Sequence, residues 1–234
     1  MPMSPRLLRP IARGATGGLP LTIADLAVWL DASVASSVTL NGSGVSEWRD
    51  LSGNGRHATQ DTAASQPEYG TTTLNGLAVC SSSSSARMDI AAFPCTNDAT
   101  VFVVGAATGS STYFCRGNTT STHELFGLNA VTIARRINNT NASLSVTQGV
   151  PHVLTAVFGA NLTRFFRGNT QATDNTAAQA AINDSRALTL FCFPTDIYVL
   201  NGYIAEFIYY QRQLTSTEQD AVKAYLSTKW DVSL

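Results

Sequence analysis

The densest group of chemically capable side chains in this 234-residue sequence is the run Asp50-Leu-Ser-Gly-Asn-Gly-Arg-His57. Asp50 and Asn54 offer the hard oxygens that calcium takes, while Arg56 and His57 offer donors to a glycan hydroxyl. The same run also fits a tight turn, in which Asp and Asn bond nearby backbone and the glycines take positive φ. A calcium loop wants several carboxylates and this one supplies a single Asp, so the turn is the expected reading. No cofactor is expected, and calcium is the alternative that the loop leaves open.

Acid–base chemistry needs two carboxylates placed together, and the sequence offers poor pairs. Glu47 and Asp50 are three apart, which puts them on opposite faces of a strand. Glu206 stands alone in the apolar run Tyr203–Tyr210, where pairing with an Arg or a backbone amide is expected rather than catalysis. His123-Glu124 lacks the second His of a helical zinc motif, and neither a GxSxG elbow nor a phosphate loop is present. The histidines, His57, His123 and His152, are scattered. Cys80, Cys95, Cys115 and Cys192 form no CxxC pair and no zinc spacing, and Cys115 and Cys192 sit in apolar runs as small buried hydrophobes. Reduced thiols are the default. No catalytic residue and no metal ligand is therefore expected, and the chain is expected not to be an enzyme.

The elements that would carry these residues are short. Charged residues make up 13% of the chain, against about 25% in an ordinary domain. Ser and Thr fill about a fifth of it instead, a composition of turns and strands rather than helices. From Leu26 onward, β-like runs are separated by Gly/Asn turns, among them Ala27–Ala32, Val45–Asp50, Gly76–Ser81 and Ser111–Arg116. Thr100–Ala107 reads as a central strand. His152–Phe158 and Thr163–Gly168 flank a hairpin turn at Gly159-Ala-Asn161, while Leu188–Phe193 and Tyr203–Tyr210 close the series. Ser81–Ser85 is expected as a loop. The one predicted helix, over 215–230, opens with the capping box Thr215-Ser-Thr-Glu218 and lays Val222, Tyr225, Leu226 and Trp230 along one face. The runs point to an all-β sandwich or jelly roll over 24–234.

Residues 1–23 form a different kind of segment, an extended N-terminal arm. Its prolines deny it regular structure, and Arg6, Arg9 and Arg13 have no acidic neighbour before Asp25. Arg6, Leu7, Leu8, Arg9 and Arg13 are the candidates for attachment to a partner. The segment lacks the apolar stretch of a secretory signal. A net charge of −1 argues against a nucleic-acid surface, and no apolar run is long enough to insert in a membrane.

Four segments carry a resemblance: Trp29–Ser33 (WLDAS), Val45–Gln60, Gln66–Val79 and Asn201–Trp230. In that order they resemble the concanavalin A-like lectin/glucanase superfamily, in the LamG-like jelly-roll branch found in bacteriophage virion structural proteins. The resemblance implies the antiparallel two-sheet, jelly-roll form and a non-enzymatic virion protein, a lectin-like sandwich on the virion surface serving as capsid decoration or for host adhesion. It would be assembled in the bacterial host cytoplasm and attached by residues 1–20 to other capsid or tail proteins. A homo-oligomer or multi-copy assembly follows, with host-surface glycan as a second partner. The alternative is a carbohydrate-binding module of a secreted or cell-surface bacterial protein, and a glycoside hydrolase ranks third. The superfamily's glucanases resemble one another in a Glu-x-Asp-x-x-Glu strand, which is absent here. The segment CSSSSSARMDI also departs from the relatives' pattern after the LAV strand. For sugar binding, Tyr69, Tyr113 and Tyr198 are the aromatics expected at the edges of runs, while Trp29 and Trp48 are expected in the core and Trp230 as the helix anchor. Arg135, Arg136 and Arg164 are expected as solvated strand-edge charges.

Overall fold

The computed structural model describes residues 18–82, 85–94, 96–117, 124–129, 131–136, 140–178, 185–193 and 198–234, with backbone alone over the described part of 124–141. The attachment candidates Arg6, Leu7, Leu8, Arg9 and Arg13 lie outside the described residues, as do Cys95 and His123.

The pairing network joins 17 strands. In the first half of the chain they are β1 (Leu26–Asp31), β2 (Val38–Asn41), β3 (Gly44–Trp48), β4 (Ala58–Thr59), β5 (Glu68–Leu74), β6 (Leu77–Ser82), β7 (Met88–Pro94), β8 (Ala99–Thr108) and β9 (Ser111–Arg116). There follow β10 (Glu124–Asn129), β11 (Val131–Arg136), β12 (Thr140–Leu144), β13 (His152–Gly159), β14 (Leu162–Arg167), β15 (Thr170–Gln171), β16 (Ser185–Leu190) and β17 (Asn201–Tyr210). The helix α1 (Ser216–Trp230) ends the chain. All the strand pairings are antiparallel and resolve into two layers. One runs β5–β6–β17–β8–β13–β14–β15, with β1 also beside β17. The other runs β2–β3–β4–β7–β16–β9–β10–β11–β12. A single pair, Gly44 opposite Glu68, ties the layers at one edge.

The alternation of side chains along the strands builds two cores. Val28 and Leu30 of β1, Val101 and Val103 of β8, and Phe207 and Tyr209 of β17 meet Trp48, Met88, Ile90, Phe114 and Leu188 of the opposite layer. The residues between them, Trp29, Phe102, Val104, Ile208 and Tyr210, face outward and are covered by Val222, Leu226 and Trp230 of α1. That explains why Ala99–Ala107 is buried at every position: a strand with both faces covered reads as a continuous apolar run.

The β17 register shifts between Ile204 and Glu206, where Ala205 is the extra residue. Ile204 belongs to the inter-layer core. Without the bulge, the period of two would aim Glu206 at that same core. With it, Glu206 turns to the helix side, where α1 can meet it.

The expected capping box is present: the Glu218 amide donates to Thr215 Oγ1 and the Thr215 amide donates to Glu218 Oε2. The Arg212 guanidinium bound to Glu218, followed by that amide bond, pulls the Glu218 carboxyl down to about 2. Replacing Thr215 with Ala is expected to cost about 1 kcal/mol, read as a lower urea midpoint at unchanged slope. Within the span expected as the arm, Leu19–Thr22 forms a short 3₁₀ turn. Tyr210 donates its hydroxyl to the Pro20 carbonyl there, and Leu19 and Ile23 pack on the helix-side core.

Several expectations need correcting. Ser81 and Ser82 belong to β6 rather than to a loop. The strand expected to continue through Phe193 stops at Leu190, because Phe191 adopts a left-handed φ of 70°. Five strands, β2, β4, β5, β7 and β15, were not expected at all.

Candidate functional site

The Asp50 loop comes together as a unit, and its polar atoms are spent on the fold. Asp50 accepts from the amides of Trp29, Ser52 and Arg56 and from the Ser52 hydroxyl. The Asp50 amide donates to His57 Nδ1. Asn54 donates to the Leu26 and Ala27 carbonyls, and Arg56 donates to the Ala27 carbonyl while lying over the Phe93 ring. This network pins the loop across the start of β1. None of the four residues lines the groove described below.

Glu206 makes a different pairing from the one expected. Its partner is neither Arg nor a backbone amide but Lys229, 2.6 Å away, together with the indole N–H groups of Trp29 and Trp230 and the Tyr225 hydroxyl. Lys229 also donates to Asp31, which sits opposite Glu206 in the β1–β17 register. One ammonium thus holds two carboxylates within roughly 5 Å, the spacing of a retaining glycosidase pair. Glu206 and Asp31 are, however, 1% and 3% exposed beneath α1, with Lys229 between them. Burial first, and then Asp31, push the Glu206 carboxyl up, against the opposing pull of Lys229. The arrangement fastens the helix to the sheet.

Arg116 is likewise buried, donating to the Tyr209 hydroxyl and to the carbonyls of Phe93 and Pro94, with its guanidinium over the Phe93 ring. Arg164 is not a simple solvated charge: it forms a two-pronged bond to Asp174. Arg135 and Arg136 have no described side chains.

A groove of about 720 Å³ opens where the two layers are tied, within the range of about 300–1,000 Å³ usual for small-ligand pockets. The β2–β3 turn forms one wall, and its Gly42 takes a φ of 66° that suits glycine. The segment around Gln66, strands β5 and β6, and the start of β17 form the rest. Gln66 is 9% exposed. Its amide nitrogen is fixed by a 2.7 Å bond to the Gln60 carbonyl, and its side chain lies flat on Gly44, where a Cβ would fall 2.5 Å from the Gln66 oxygen. The Gln66 Oε1 and the Ser82 Oγ, both on residues lining the groove, have no hydrogen-bond partner among the described residues. A buried polar atom left unpaired costs about 1–3 kcal/mol; both atoms are closed off from solvent behind the groove wall, so a ligand satisfies them only where it parts that lining. Around them stand exposed Glu68, Asn41 and Asn201 and the half-buried ring of Tyr203. Burial pushes the Tyr203 hydroxyl up, so it stays protonated as both donor and acceptor at neutral pH.

Of the tyrosines expected for sugar binding, Tyr113 is fully buried, and Tyr69 is half-buried with its hydroxyl on the Ala32 carbonyl. Tyr198 is exposed. Tyr203 was absorbed into an apolar strand run, and Gln66 stood only as the first residue of the Gln66–Val79 segment, with no role of its own. Among the described residues no group of three or more His, Cys, Asp or Glu is placed to hold a metal ion, and no helix is long and apolar enough to cross a membrane.

The sequence matches no family model and no curated protein. By structure, the chain is similar to domain 4 of AbnA, a GH43 extracellular arabinanase from Geobacillus stearothermophilus solved with arabinotriose. The TM-score is 0.63 at 11% identity, over 85% of this chain and 98% of that domain. A GH54 α-L-arabinofuranosidase gives 0.63 at 14% identity, over 80% of this chain and 51% of that one. The binding domain of Paraclostridial Mosquitocidal Protein 1 gives 0.63 at 11%, over 88% and 52%. The chain therefore spans nearly all of the first and about half of the other two. These likenesses show the fold, an antiparallel β-sandwich. They support that part of the resemblance, and none of the three is a virion protein.

Proposed function

We propose that this protein is a non-catalytic carbohydrate-binding sandwich whose ligand lies in the groove between the β2–β3 turn and the first residues of β17. The observation that carries the reading is the groove itself, about 720 Å³ and lined by amides, a carboxylate and an aromatic ring, with two unpartnered polar atoms, Gln66 Oε1 and Ser82 Oγ, buried in its wall. Sugars supply many hydroxyl groups that both donate and accept, together with apolar ring faces that pack on aromatics. Glu68 is the groove's one carboxylate among the described residues, and glycoside hydrolysis by the usual route needs two. The buried Asp31–Glu206 pair has the spacing for that chemistry but is clamped by Lys229 under the helix. The arabinanase domain solved with arabinotriose and the mosquitocidal binding domain are consistent with this reading.

Replacing Gln66 with Leu, or Tyr203 with Ser, is expected to lower glycan affinity at least ten-fold, about 1.4 kcal/mol. Calorimetric titration measures this, with thermal unfolding confirming that each variant is folded. A wild-type chain that binds nothing on a broad glycan array, or folded variants that bind as well as wild type, would rule the groove out.

A further inference from the structure

The groove's charge inventory says which sugars it accepts. We propose that it selects neutral glycans and rejects those carrying carboxylates, such as uronic or sialic acids; this deepens the carbohydrate-binding reading and rests on it. Among the described lining residues Glu68 is the single one charged at neutral pH, and no Lys, Arg or His is among them. Arg87, which follows the lining residue Ala86, pairs with Asp89. Recognition of a sugar carboxylate calls for a guanidinium or ammonium facing it, and Arg is the usual choice because its planar fork matches the two oxygens. Here the ligand's carboxylate would meet the like charge of Glu68 with no counter-ion.

The hydrogen-bonding polarity agrees. One of the two Gln66 amide hydrogens is committed to the Gln60 carbonyl, while the Gln66 oxygen, which can only accept, has no partner among the described residues. Glu68 is likewise an acceptor when ionised. Both ask the ligand to donate, which a ring of neutral hydroxyls does at every position. The amides of Asn41 and Asn201 adapt to either role.

The test is calorimetric titration of the full chain with arabinotriose and with trigalacturonate, matched in length, at low ionic strength. The neutral trisaccharide is expected to bind at least ten-fold more tightly. Glu68→Gln should narrow that preference, and Glu68→Lys should reverse it; the position is exposed, so both variants fold. Equal or tighter binding of trigalacturonate, abolished by Gln66→Leu, would overturn the selectivity while leaving the groove a glycan site. A preference unchanged by Glu68→Lys would also overturn it. Failure of both sugars, and of other neutral oligosaccharides, would overturn the underlying reading and the selectivity with it.

Discussion

Replacing Lys229 with Met will destabilise the fold by about 3–5 kcal/mol at neutral pH, and much of that loss will be recovered as the pH falls. Methionine keeps the length and the packing of the stem, so the missing feature is the ammonium that holds Asp31 and Glu206 together. Two buried carboxylates would then face each other without a counter-charge. The Glu206 carboxyl is raised already in the intact protein, by burial and then by Asp31, and removing Lys229 raises it further. An acid whose folded pKa lies above its unfolded value binds its proton more tightly in the fold. Stability therefore rises as the pH drops through the folded pKa and levels off below the unfolded one. Urea unfolding at pH 7 and pH 5 reads this directly. A variant equally destabilised at both pH values would show that Lys229 contributes packing rather than charge, and adding Glu206→Gln should restore part of the loss at pH 7.

Replacing Gly202 with Ala is expected to cost about 3 kcal/mol or more and to abolish ligand binding. A Cβ at Gly202 would fall 2.0 Å from the Ala106 carbonyl oxygen and 2.8 Å from the Ala107 Cα. Both atoms are backbone of β8, so no side chain can swing away, and the β17–β8 ladder must open at the point where β17 enters the groove. Gly42→Ala is the informative comparison. It also lies at the groove but in open space, with only its φ of 66° as an obstacle, and should cost about 1–2 kcal/mol. Thermal unfolding separates the two. Equal melting temperatures would show that the close approach at Gly202 is readily relaxed.

The elements most legible in the sequence are those whose local chemistry and burial agree. Thr100–Ala107 is apolar at nearly every position because β8 is covered on both faces. The capping box at Thr215 and the stripe from Val222 to Trp230 fall where the structure has them. Of the strands not expected, β5, Glu-Tyr-Gly-Thr-Thr-Thr-Leu, is exposed at most positions, so no apolar alternation marks it. The same divide holds at the candidate site. The Asp50 loop is contiguous, and the turn expected there, with the Asp on nearby backbone, is what its carboxylate makes with the Ser52 and Arg56 amides; the reach to the Trp29 amide, 21 residues back, had no local signal. The groove is assembled from the β2–β3 turn, Gln66, β5, β6 and β17, which are distant in sequence, and no spacing rule links them. Tyr203 and Glu206 share one apolar run, yet the first opens onto the groove and the second onto the helix. The bulge at Ala205 that separates them leaves no mark in residue type.

That bulge also divides labour along a single strand. Before it, β17 is flanked by β6 and β8; after it, by β1 and β8. The leading half thus belongs to the rim of the groove and the trailing half to the scaffold that anchors α1, with a change of neighbour at the joint. Rim segments such as the Asn41–Gly44 turn can be exchanged without touching the Lys229 fastening. The sandwich is accordingly a chassis on which new specificities could be grafted at one end while the other supplies the stability they consume.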